Sequence, residues 1–312
     1  MSGSGFPPAV PGCRIGRLLG EGATGAVFEA LSEAGDALAI KFLRESFADD
    51  PEMVARFKRE ANICQRLRSE HIAAVVGAGR TERTYWIAYR RLAGETLDVR
   101  MKRERALPLA TVAPMVEQIL RGLAVAHAEG IVHRDIKPAN VMLERIGEEE
   151  RACILDFGIS KDRSRSGSST SAPALTSTTA TLGTINYMPP EQIGASAAVD
   201  HRADLYSVGV VAFRALAGKL PYAGESQAAL LHAKVTGEAR SLKEATGAHW
   251  PAAVEGFFRH ALARAPAERF QSAAEMKAAW NEAAGGGAPP EPESIRGRDA
   301  DSEDRDDTAL DH

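Results

Sequence analysis

Residues 133–140 read His-Arg-Asp-Ile-Lys-Pro-Ala-Asn, and this run constrains the chain more than any other. It places the carboxylate of Asp135, the ammonium group of Lys137 and the amide of Asn140 in one short loop. Residues 154–158, Ile-Leu-Asp-Phe-Gly, add the carboxylate of Asp156 after a strand-like segment. Chance is a poor explanation for these groups at this spacing. The two runs therefore predict a reaction centre in which each polar group has a separate chemical task.

A glycine pattern near the N-terminus offers a way to hold phosphate. Residues 20–27 follow Gly-x-Gly-x-x-Gly-x-Val between two β-type runs. Because glycine has no side chain, backbone N–H groups in such a loop can approach phosphate oxygens. On its own the pattern is better explained by a hairpin turn. A dinucleotide-binding fold would need a helix directly after the glycines, whereas residues 26–30 continue as a strand-like run.

Two buried charges are expected in the same part of the chain. Lys41 lies in an apolar strand-like run, and Glu60 falls on the apolar stripe of a predicted helix that Asp50 can cap. Taken singly, Lys41 could solubilise an edge strand and Glu60 could be a helix-surface charge. Either charge would be costly to bury without a partner. We therefore expect a Lys41–Glu60 pair that holds the ammonium group at the α- and β-phosphates of ATP.

These groups have complementary tasks in phosphoryl transfer from ATP. Asp135 would accept the proton of the attacking hydroxyl, and Lys137 would neutralise charge on the transferring γ-phosphate. Asn140 and Asp156 would coordinate Mg²⁺, for which Mn²⁺ is an expected substitute. The sequence therefore predicts an enzyme that uses ATP and a divalent cation.

Taken together and in order, these motifs closely resemble the Hanks-type, eukaryotic-like serine/threonine protein kinases of bacteria, over roughly residues 14–282. Lys137-Pro138, after the aspartate, is similar to the serine/threonine branch. The resemblance implies transfer of the ATP γ-phosphoryl group to Ser/Thr hydroxyls of proteins. It also implies that His133 packs behind Phe157 and does not catalyse.

The same resemblance implies a domain organisation. The fold class is α+β, the two-lobed protein kinase fold. A small, mostly-β N-lobe with one key helix is expected at about 14–90, and a larger α-helical C-lobe at about 93–282. Residues 1–13 are expected to be a flexible N-terminus, and the composition of residues 283–312 predicts a disordered acidic tail.

Nucleotide contacts beyond the phosphates also follow from the resemblance. Val27, Ala39 and Leu143 would sandwich the adenine ring, and backbone groups near Arg90 and Leu92 would bind its edge. The whole set expected at the nucleotide is Leu19, Gly20, Glu21, Gly22, Ala23, Thr24, Gly25, Val27, Ala39, Lys41, Arg90, Leu92 and Leu143. Arg90-Arg91 departs from the family pattern, in which an acid often stands at this hinge, and we interpret the two arginines as a solvated pair.

Further positions match parts of the family that support the site. Thr184 would hydrogen-bond Asp135 and Lys137 at the substrate-docking end of the activation segment. Asp204 would anchor the backbone of the catalytic loop, and Glu191 would pair with Arg269. One neighbouring position departs from the family pattern: proline stands at position 189, where alanine or serine is usual.

The activation segment predicts regulation. Between residues 163 and 181, eleven of nineteen residues are Ser or Thr, so the segment offers many acceptor hydroxyls. By resemblance, Thr176 and Thr178 occupy the places where similar bacterial kinases are phosphorylated in trans. A phosphate there would pair with Arg134 and order the segment. Self-phosphorylation is therefore expected, through a transient homodimer.

Bulk properties limit the partners and the compartment. With 44% hydrophobic residues, 312 residues can bury a full core. After Gly285, nine acidic residues and three arginines give a net charge of −6 and leave +2 for the rest, which favours neither nucleic acid nor anionic lipid. The three cysteines form no Cys-x-x-Cys pair, and no signal peptide or membrane-length apolar window is apparent. We expect a cytoplasmic chain whose partners are proteins bearing Ser/Thr.

Two other functions fit part of the pattern. A pseudokinase scaffold would bind nucleotide without transfer, but the presence of Lys41, Asp135, Asn140 and Asp156 argues against it. A small-molecule kinase of the same superfamily is disfavoured by the segment from Gly183-Thr184 to Glu191, a peptide-docking element that is usually absent there. Assays with protein, aminoglycoside and choline acceptors would separate the three.

Overall fold

The computed structural model describes residues 8–157, 185–193 and 199–286, which form two lobes. The N-lobe is an antiparallel five-stranded sheet in the order β1-β2-β3-β5-β4, against which one long helix packs. Its elements are β1 (Cys13–Glu21), β2 (Gly25–Ser32), β3 (Ala37–Leu43), a 3₁₀ turn (Glu45–Phe47), α1 (Pro51–Arg66), β4 (Val75–Arg80) and β5 (Tyr85–Arg90). The predicted mostly-β lobe with one key helix is confirmed.

Helix α1 begins where the sequence predicts. The carboxylate of Asp50 accepts hydrogen bonds from the N–H groups of Glu52 and Met53 at 2.9 and 3.2 Å, and Pro51 occupies the first helical position. The buried residues of the helix are Phe57, Glu60, Ala61 and Cys64. The helix therefore presents one carboxylate to the interior of the lobe.

Order at the N-terminus starts earlier than expected. Val10 is only 3% exposed and packs in an apolar cluster of the N-lobe with Ile40 and Phe42. The N–H of Cys13 donates to the carbonyl of Val10 at 3.1 Å. The expected flexible segment, residues 1–13, is therefore too long, because Val10 covers apolar side chains of the sheet. Residues 1–7 lie outside the described part of the chain.

The C-lobe is mostly helical, as predicted, and it also contains a small sheet that the sequence did not predict. Strands β6 (Gly94–Thr96), β7 (Val141–Ile146) and β8 (Glu149–Ile154) pair antiparallel in that order. The helices are α2 (Leu97–Glu104), α3 (Leu109–Ala128), α4 (Pro190–Ile193), α5 (Arg202–Ala217), α6 (Gln227–Thr236), α7 (Leu242–Thr246), α8 (Ala252–Ala261) and α9 (Ala273–Gly285), with 3₁₀ turns at Pro138–Asn140 and Pro266–Glu268. Residues 287–312, most of the predicted acidic tail, lie outside the described ranges.

Helix α5 runs through the middle of the C-lobe. All of its residues except Arg202 and Arg214 are buried, as the apolar sequence around the helix predicts. The helix ends at Gly218, whose φ of 69° is the left-handed conformation that favours glycine. Asp204, in the first turn of the helix, is buried inside the lobe, where it can bind backbone groups of a neighbouring loop.

Helix α3 corrects one expectation. The sequence was expected to contain no apolar window of membrane-spanning length, yet α3 is long enough, with a mean hydropathy of 1.3. Half of that window is buried, and the helix packs against α5, α9 and β8. Burial on several sides therefore accounts for its apolar composition.

Candidate active site

One buried carboxylate anchors the backbone of the loop of residues 133–140. Asp204 is fully buried and accepts hydrogen bonds from the N–H groups of His133 and Arg134 at 2.8 and 2.7 Å. His127 contacts the same carboxylate at 2.9 Å, a contact that sequence reasoning missed. Arg134 has a φ of 63°, a strained conformation for a residue with a side chain. The bonds to Asp204 hold the loop in this conformation, as expected for an anchor.

The three polar groups of the loop meet in the structure. The Nζ atom of Lys137 lies 3.2 Å from Oδ2 of Asp135. The Nδ2 atom of Asn140 donates to the backbone carbonyl of Asp135 at 2.8 Å and to its carboxylate at 3.3 Å. Since its nitrogen is directed at Asp135, Asn140 has Oδ1 as the oxygen that can bind a cation.

A second set of charges joins the two lobes. The Nζ atom of Lys41 on β3 donates to Oε1 of Glu60 on α1 at 2.7 Å and to Oδ1 of Asp156 at 3.1 Å. Burial alone would lower the pKa of Lys41, but the charges of Asp156 and Glu60 outweigh it and raise that pKa above its usual value. Lys41 is therefore an ammonium group, and the expected pair with Glu60 is present.

Tyr89 completes this arrangement and was missed by sequence reasoning. It is the penultimate residue of β5, and its hydroxyl donates to Oε1 of Glu60 at 3.0 Å. Burial raises the pKa of Tyr89 well above its usual value, so the hydroxyl stays protonated and remains a donor. The alternation with buried Ile87 could have indicated that Tyr89 points inward, although not to which partner.

The turn after β8 brings Asp156 to Lys41. His133 packs on the ring of Phe157 with centroids 4.8 Å apart, and its Nε2 lies 2.9 Å from the carbonyl oxygen of Leu155. Asp156 has a φ of 43°. The packing role expected of His133 thus agrees with its position, whereas Gly158 lies outside the described residues.

The glycine loop shows which glycines the fold itself requires. A Cβ atom on Gly25 would lie 1.9 Å from the carbonyl oxygen of Phe42 on the paired strand. A Cβ on Gly20 would meet nothing within 4 Å, and one on Gly22 would meet only a carbonyl at 3.9 Å. Gly25 is therefore needed for strand pairing. Nothing in the described protein requires glycine at position 20 or 22. The open space beside these two residues is the space that an approaching phosphate would use.

Arg44, which directly follows β3, supports the glycine loop and was also missed by sequence reasoning. Its Nε and Nη2 donate to the carbonyl oxygen of Gly22 at 3.2 and 3.1 Å, and Nη2 lies 2.9 Å from the carboxylate of Glu21. Two bonds to one carbonyl fix the tip of the loop. The backbone N–H of Gly22 also donates to the carbonyl of Gly25 at 2.8 Å.

Alanine substitutions should separate the two roles of glycine. Gly25→Ala is expected to lower the free energy of unfolding by about 1–3 kcal/mol, because its Cβ forces two paired strands apart. Gly22→Ala should change that free energy by less than about 0.5 kcal/mol, as surface substitutions usually do, while weakening the binding of a fluorescent ATP analogue. Urea unfolding and nucleotide titration measure the two effects. Equal destabilisation by both substitutions would contradict this division.

The hinge, residues 90–93, is tied down by ion pairs. The guanidinium group of Arg90 binds both carboxylate oxygens of Glu144 on β7, at 2.6 and 3.1 Å, and Arg91 binds Glu29 on β2. The hydrogen bond from Arg90 holds the pKa of Glu144 below its usual value. The interpretation of these arginines as a solvated pair agrees with their partial exposure but is incomplete, because each also links the hinge to a strand of one lobe.

The adenine side of the cleft brings one correction. Leu143 is 3% exposed and belongs to the apolar core of the C-lobe, so its side chain does not line the cleft. Successive residues of a strand point to opposite faces, and Met142 packs instead with the cluster that contains Ala39 and Leu92. The expectation was one residue out of register. The N–H of Leu92 has no hydrogen-bond partner within the described residues and is available for an adenine edge.

The remaining expected residues divide into two groups. Glu191 and Arg269 are brought together, with both pairs of atoms 2.8 Å apart. The carbonyl of Arg134 accepts a hydrogen bond from the side chain of Gln192 at 3.1 Å. Thr176, Thr178 and Thr184 lie outside the described ranges, so their roles stay predictions.

The donor set suits magnesium as an ion shared with a nucleotide. In the part of the chain that the structure describes, no group of three or more His, Cys, Asp or Glu residues could hold a metal by itself. Mg²⁺ is commonly bound by one or two carboxylates together with water and substrate phosphates. Asn140 and Asp156 fit that pattern. The buried cysteines take no part: burial raises the pKa of Cys64 to about 12 and that of Cys153 to about 11.

A glycine loop and a Lys41–Glu60 pair in a β-rich lobe, facing Asp135, Lys137 and Asn140 in a helical lobe, define a two-lobed phosphotransferase. The comparisons with known proteins agree. Residues 13–280 match the family model described as the protein kinase domain. The chain belongs to the protein kinase family, whose members use ATP and a divalent metal.

Similar proteins are bacterial kinases. The serine/threonine-protein kinase pkn3 of Myxococcus xanthus is 36% identical over 269 residues, which are 85% of this chain and 48% of that protein. PknD of Mycobacterium tuberculosis is 32% identical over 268 residues, 86% of this chain and 39% of the relative. The chain thus spans about half the length, or less, of these relatives. Among solved structures, the PknI kinase domain of Mycobacterium tuberculosis matches with a TM-score of 0.65 and 30% sequence identity. The match covers 90% of this chain and 99% of the PknI chain.

Proposed function

We propose that this chain is a serine/threonine protein kinase that transfers the γ-phosphoryl group of ATP to Ser and Thr hydroxyls of proteins. The observation that carries the proposal is the meeting of Lys41, Glu60 and Asp156 across the two lobes, opposite the Asp135–Lys137 pair. The similar kinases named for serine and threonine support this acceptor class, as does Lys137-Pro138.

Each residue has a task in the transfer. Bound ATP with its magnesium ion supplies the electrophilic γ-phosphoryl group. Lys41, oriented by Glu60, would bind the α- and β-phosphates, while Asn140 and Asp156 would hold Mg²⁺ or, in its place, Mn²⁺. As the acceptor oxygen bonds to the γ-phosphorus and the bond to the β–γ bridging oxygen breaks, Asp135 would take the proton of the hydroxyl.

Nucleotide binding divides between backbone and apolar groups. Val27 on β2 and Ala39 on β3 would contact one face of adenine, and Met142 on β7 the other. The free N–H of Leu92 would donate to the ring edge. The backbone of the glycine loop, residues 20–25, would cover the phosphates.

Acceptor assays test the proposal. Purified, phosphatase-treated protein is incubated with Mg-ATP and myelin basic protein, beside an Asp135→Asn control, and phosphoamino acids and phosphosites are analysed. We expect phosphoserine and phosphothreonine with the wild type alone. Binding of ATP without transfer to any protein would favour the pseudokinase scaffold, and transfer only to an aminoglycoside or choline would favour a small-molecule kinase. We propose a cytoplasmic setting for this activity.

The regulatory proposal is self-phosphorylation in trans at Thr176 and Thr178, through a transient homodimer. A phosphate adds a charge of about −1.5 to −2 and could pair with Arg134 beside the catalytic aspartate. Alanine at both threonines is expected to lower the activity that follows preincubation with ATP to that of the dephosphorylated wild type. Initial rates before and after preincubation measure this. Unchanged turnover after complete dephosphorylation of the wild type would contradict it.

A further inference from the structure

Lys234 is a buried cation that the proposed chemistry does not use. It lies on α6, with only 1% of its surface exposed. Its Nζ donates to the carbonyl oxygen of Asn186 at 2.6 Å and to that of Met188 at 2.9 Å. No carboxylate in the described ranges offsets its charge. Burial of a lysine is destabilising unless its hydrogen bonds compensate. Here the two backbone carbonyls are its main hydrogen-bond partners.

Aromatic rings surround the ammonium group. Tyr206 of α5 and Tyr222, between α5 and α6, have ring centroids 5.6 and 5.8 Å from Nζ, close enough for cation–π attraction. Burial raises the pKa of both tyrosines, so they are uncharged at neutral pH. Burial lowers the pKa of Lys234 to about 7.

The other charged groups near these rings either form ion pairs or interact electrostatically with a tyrosine. Arg269 lies over the Tyr206 ring at 4.7 Å and is paired with Glu191. Glu238 and Arg264 act on Tyr222 with opposite signs. On α6 itself, His232 is the other titratable residue. Lys234 is the buried member of this cluster whose pKa lies near neutral pH, whereas His232 is exposed.

Lys234 is one of three side chains that bind consecutive residues of one segment. The hydroxyl of Ser207 donates to the carbonyl of Tyr187 at 2.9 Å, and Arg214 binds the hydroxyl of Tyr187. Together with the two bonds from Lys234, the carbonyls of residues 186–188 all bind side chains of α5 and α6. Ile185 and Tyr187 are buried, whereas Asn186 and Met188 are half-buried. The segment is thus anchored by its backbone and keeps two side chains accessible.

We propose that Lys234 is a positioning residue for the acceptor protein: its bonds to Asn186 and Met188 hold residues 185–188 in the conformation against which the acceptor docks. The inference rests on the proposed kinase function, because this segment directly follows Thr184, at the end of the activation segment where docking is expected. The hydrogen bonds and ring contacts that Lys234 makes within the described residues involve none of the nucleotide residues, so its loss should weaken acceptor binding and spare ATP binding.

Lys234→Met tests the role, because methionine fills much of the same space without a strong donor. The KM for myelin basic protein is expected to rise about tenfold, the factor that about 1.4 kcal/mol represents. The KM for ATP should stay within about twofold, and Lys234→Arg, which keeps charge and donors, should recover most of the acceptor affinity. The matched control is Lys243→Met, which removes an exposed lysine of α7 and should change neither constant.

The pH dependence of the KM for the acceptor is a second measurement, and a loss of packing alone would not change it. Below pH about 7 Lys234 is an ammonium group with charge-assisted bonds, and above it a neutral amine with weaker ones. The quantity to compare is the KM for the acceptor at pH about 8.5 divided by the KM at pH about 6. This ratio should be larger for the wild type than for Lys234→Met and Lys234→Arg, which lack this titration.

The outcomes separate the two proposals. An unchanged acceptor KM in a Lys234→Met variant that unfolds like the wild type overturns the inference and leaves the kinase function standing. Parallel changes of kcat and both KM values, with lower stability and no difference in pH response, would show a purely structural role and also overturn it. A wild type that binds ATP yet phosphorylates no protein overturns both.

Discussion

Replacing Asp135 with asparagine is expected to lower kcat for protein phosphorylation by about 10³-fold, within the range of about 10²–10⁴ that a general base contributes. Asparagine has nearly the same shape but cannot take a proton from the acceptor hydroxyl. It would also lose the charge that faces Lys137 at 3.2 Å. ATP affinity should remain within about twofold, because Lys41, Asn140 and Asp156, the residues expected to bind the phosphates and metal, are unchanged.

The measurement is steady-state transfer to myelin basic protein together with titration of a fluorescent ATP analogue. Asp98→Asn is the matched control, since Asp98 lies on α2 and forms an ion pair with Lys102, one turn further along. A kcat within about tenfold of wild type in Asp135→Asn would contradict the assignment of Asp135 as the base. A loss of ATP binding equal to the loss of kcat would show instead that Asp135 acts by holding the site together.

Replacing Arg269 with methionine is expected to lower the free energy of unfolding by about 3–5 kcal/mol, the usual result of breaking a buried ion pair at one partner. The Arg269 side chain is 0% exposed and binds both oxygens of Glu191 at 2.8 Å. It also donates to the carbonyls of Ala263 at 2.7 Å and Arg264 at 2.8 Å. The variant would leave a carboxylate and two carbonyls without these donors.

Urea unfolding followed by circular dichroism measures this loss. The control is Arg121→Met, which removes an exposed pair with Glu117 on α3 and should cost less than about 1 kcal/mol. A double variant with Glu191→Gln should lose less than the sum of the two single variants, because both act on one interaction. Similar losses for Arg269→Met and Arg121→Met would contradict the buried role.

The groups that the sequence predicted best are those with short, local patterns. Asp135, Lys137 and Asn140 lie within six residues, so one loop brings them together whatever the rest of the fold does. Lys41 and Glu60 could be predicted because burying an isolated charge is costly, and the pattern of apolar neighbours showed that both are buried. The cap at Asp50 similarly fixed the start of α1.

What sequence reasoning missed depends on contacts between distant parts of the chain. The partner of Tyr89 lies 29 residues away on another element, and the partner of Arg90 lies 54 residues away. No periodicity identifies such pairs. The error at Leu143 has another cause: a one-residue shift along a strand exchanges its two faces, so Met142 takes the position on the cleft side.

The bond between Tyr89 and Glu60 has a consequence for inhibitor chemistry. Tyr89 stands at the end of β5, paired with Ala39 and next to the hinge, with its ring buried and its hydroxyl bound to the carboxylate behind the phosphate site. A compound that occupies the adenine position and extends behind β5 would have to displace a large ring and break that buried hydrogen bond. Compounds that gain affinity by growing toward the glycine loop or along the hinge avoid this barrier, and are the better starting scaffolds for this cleft.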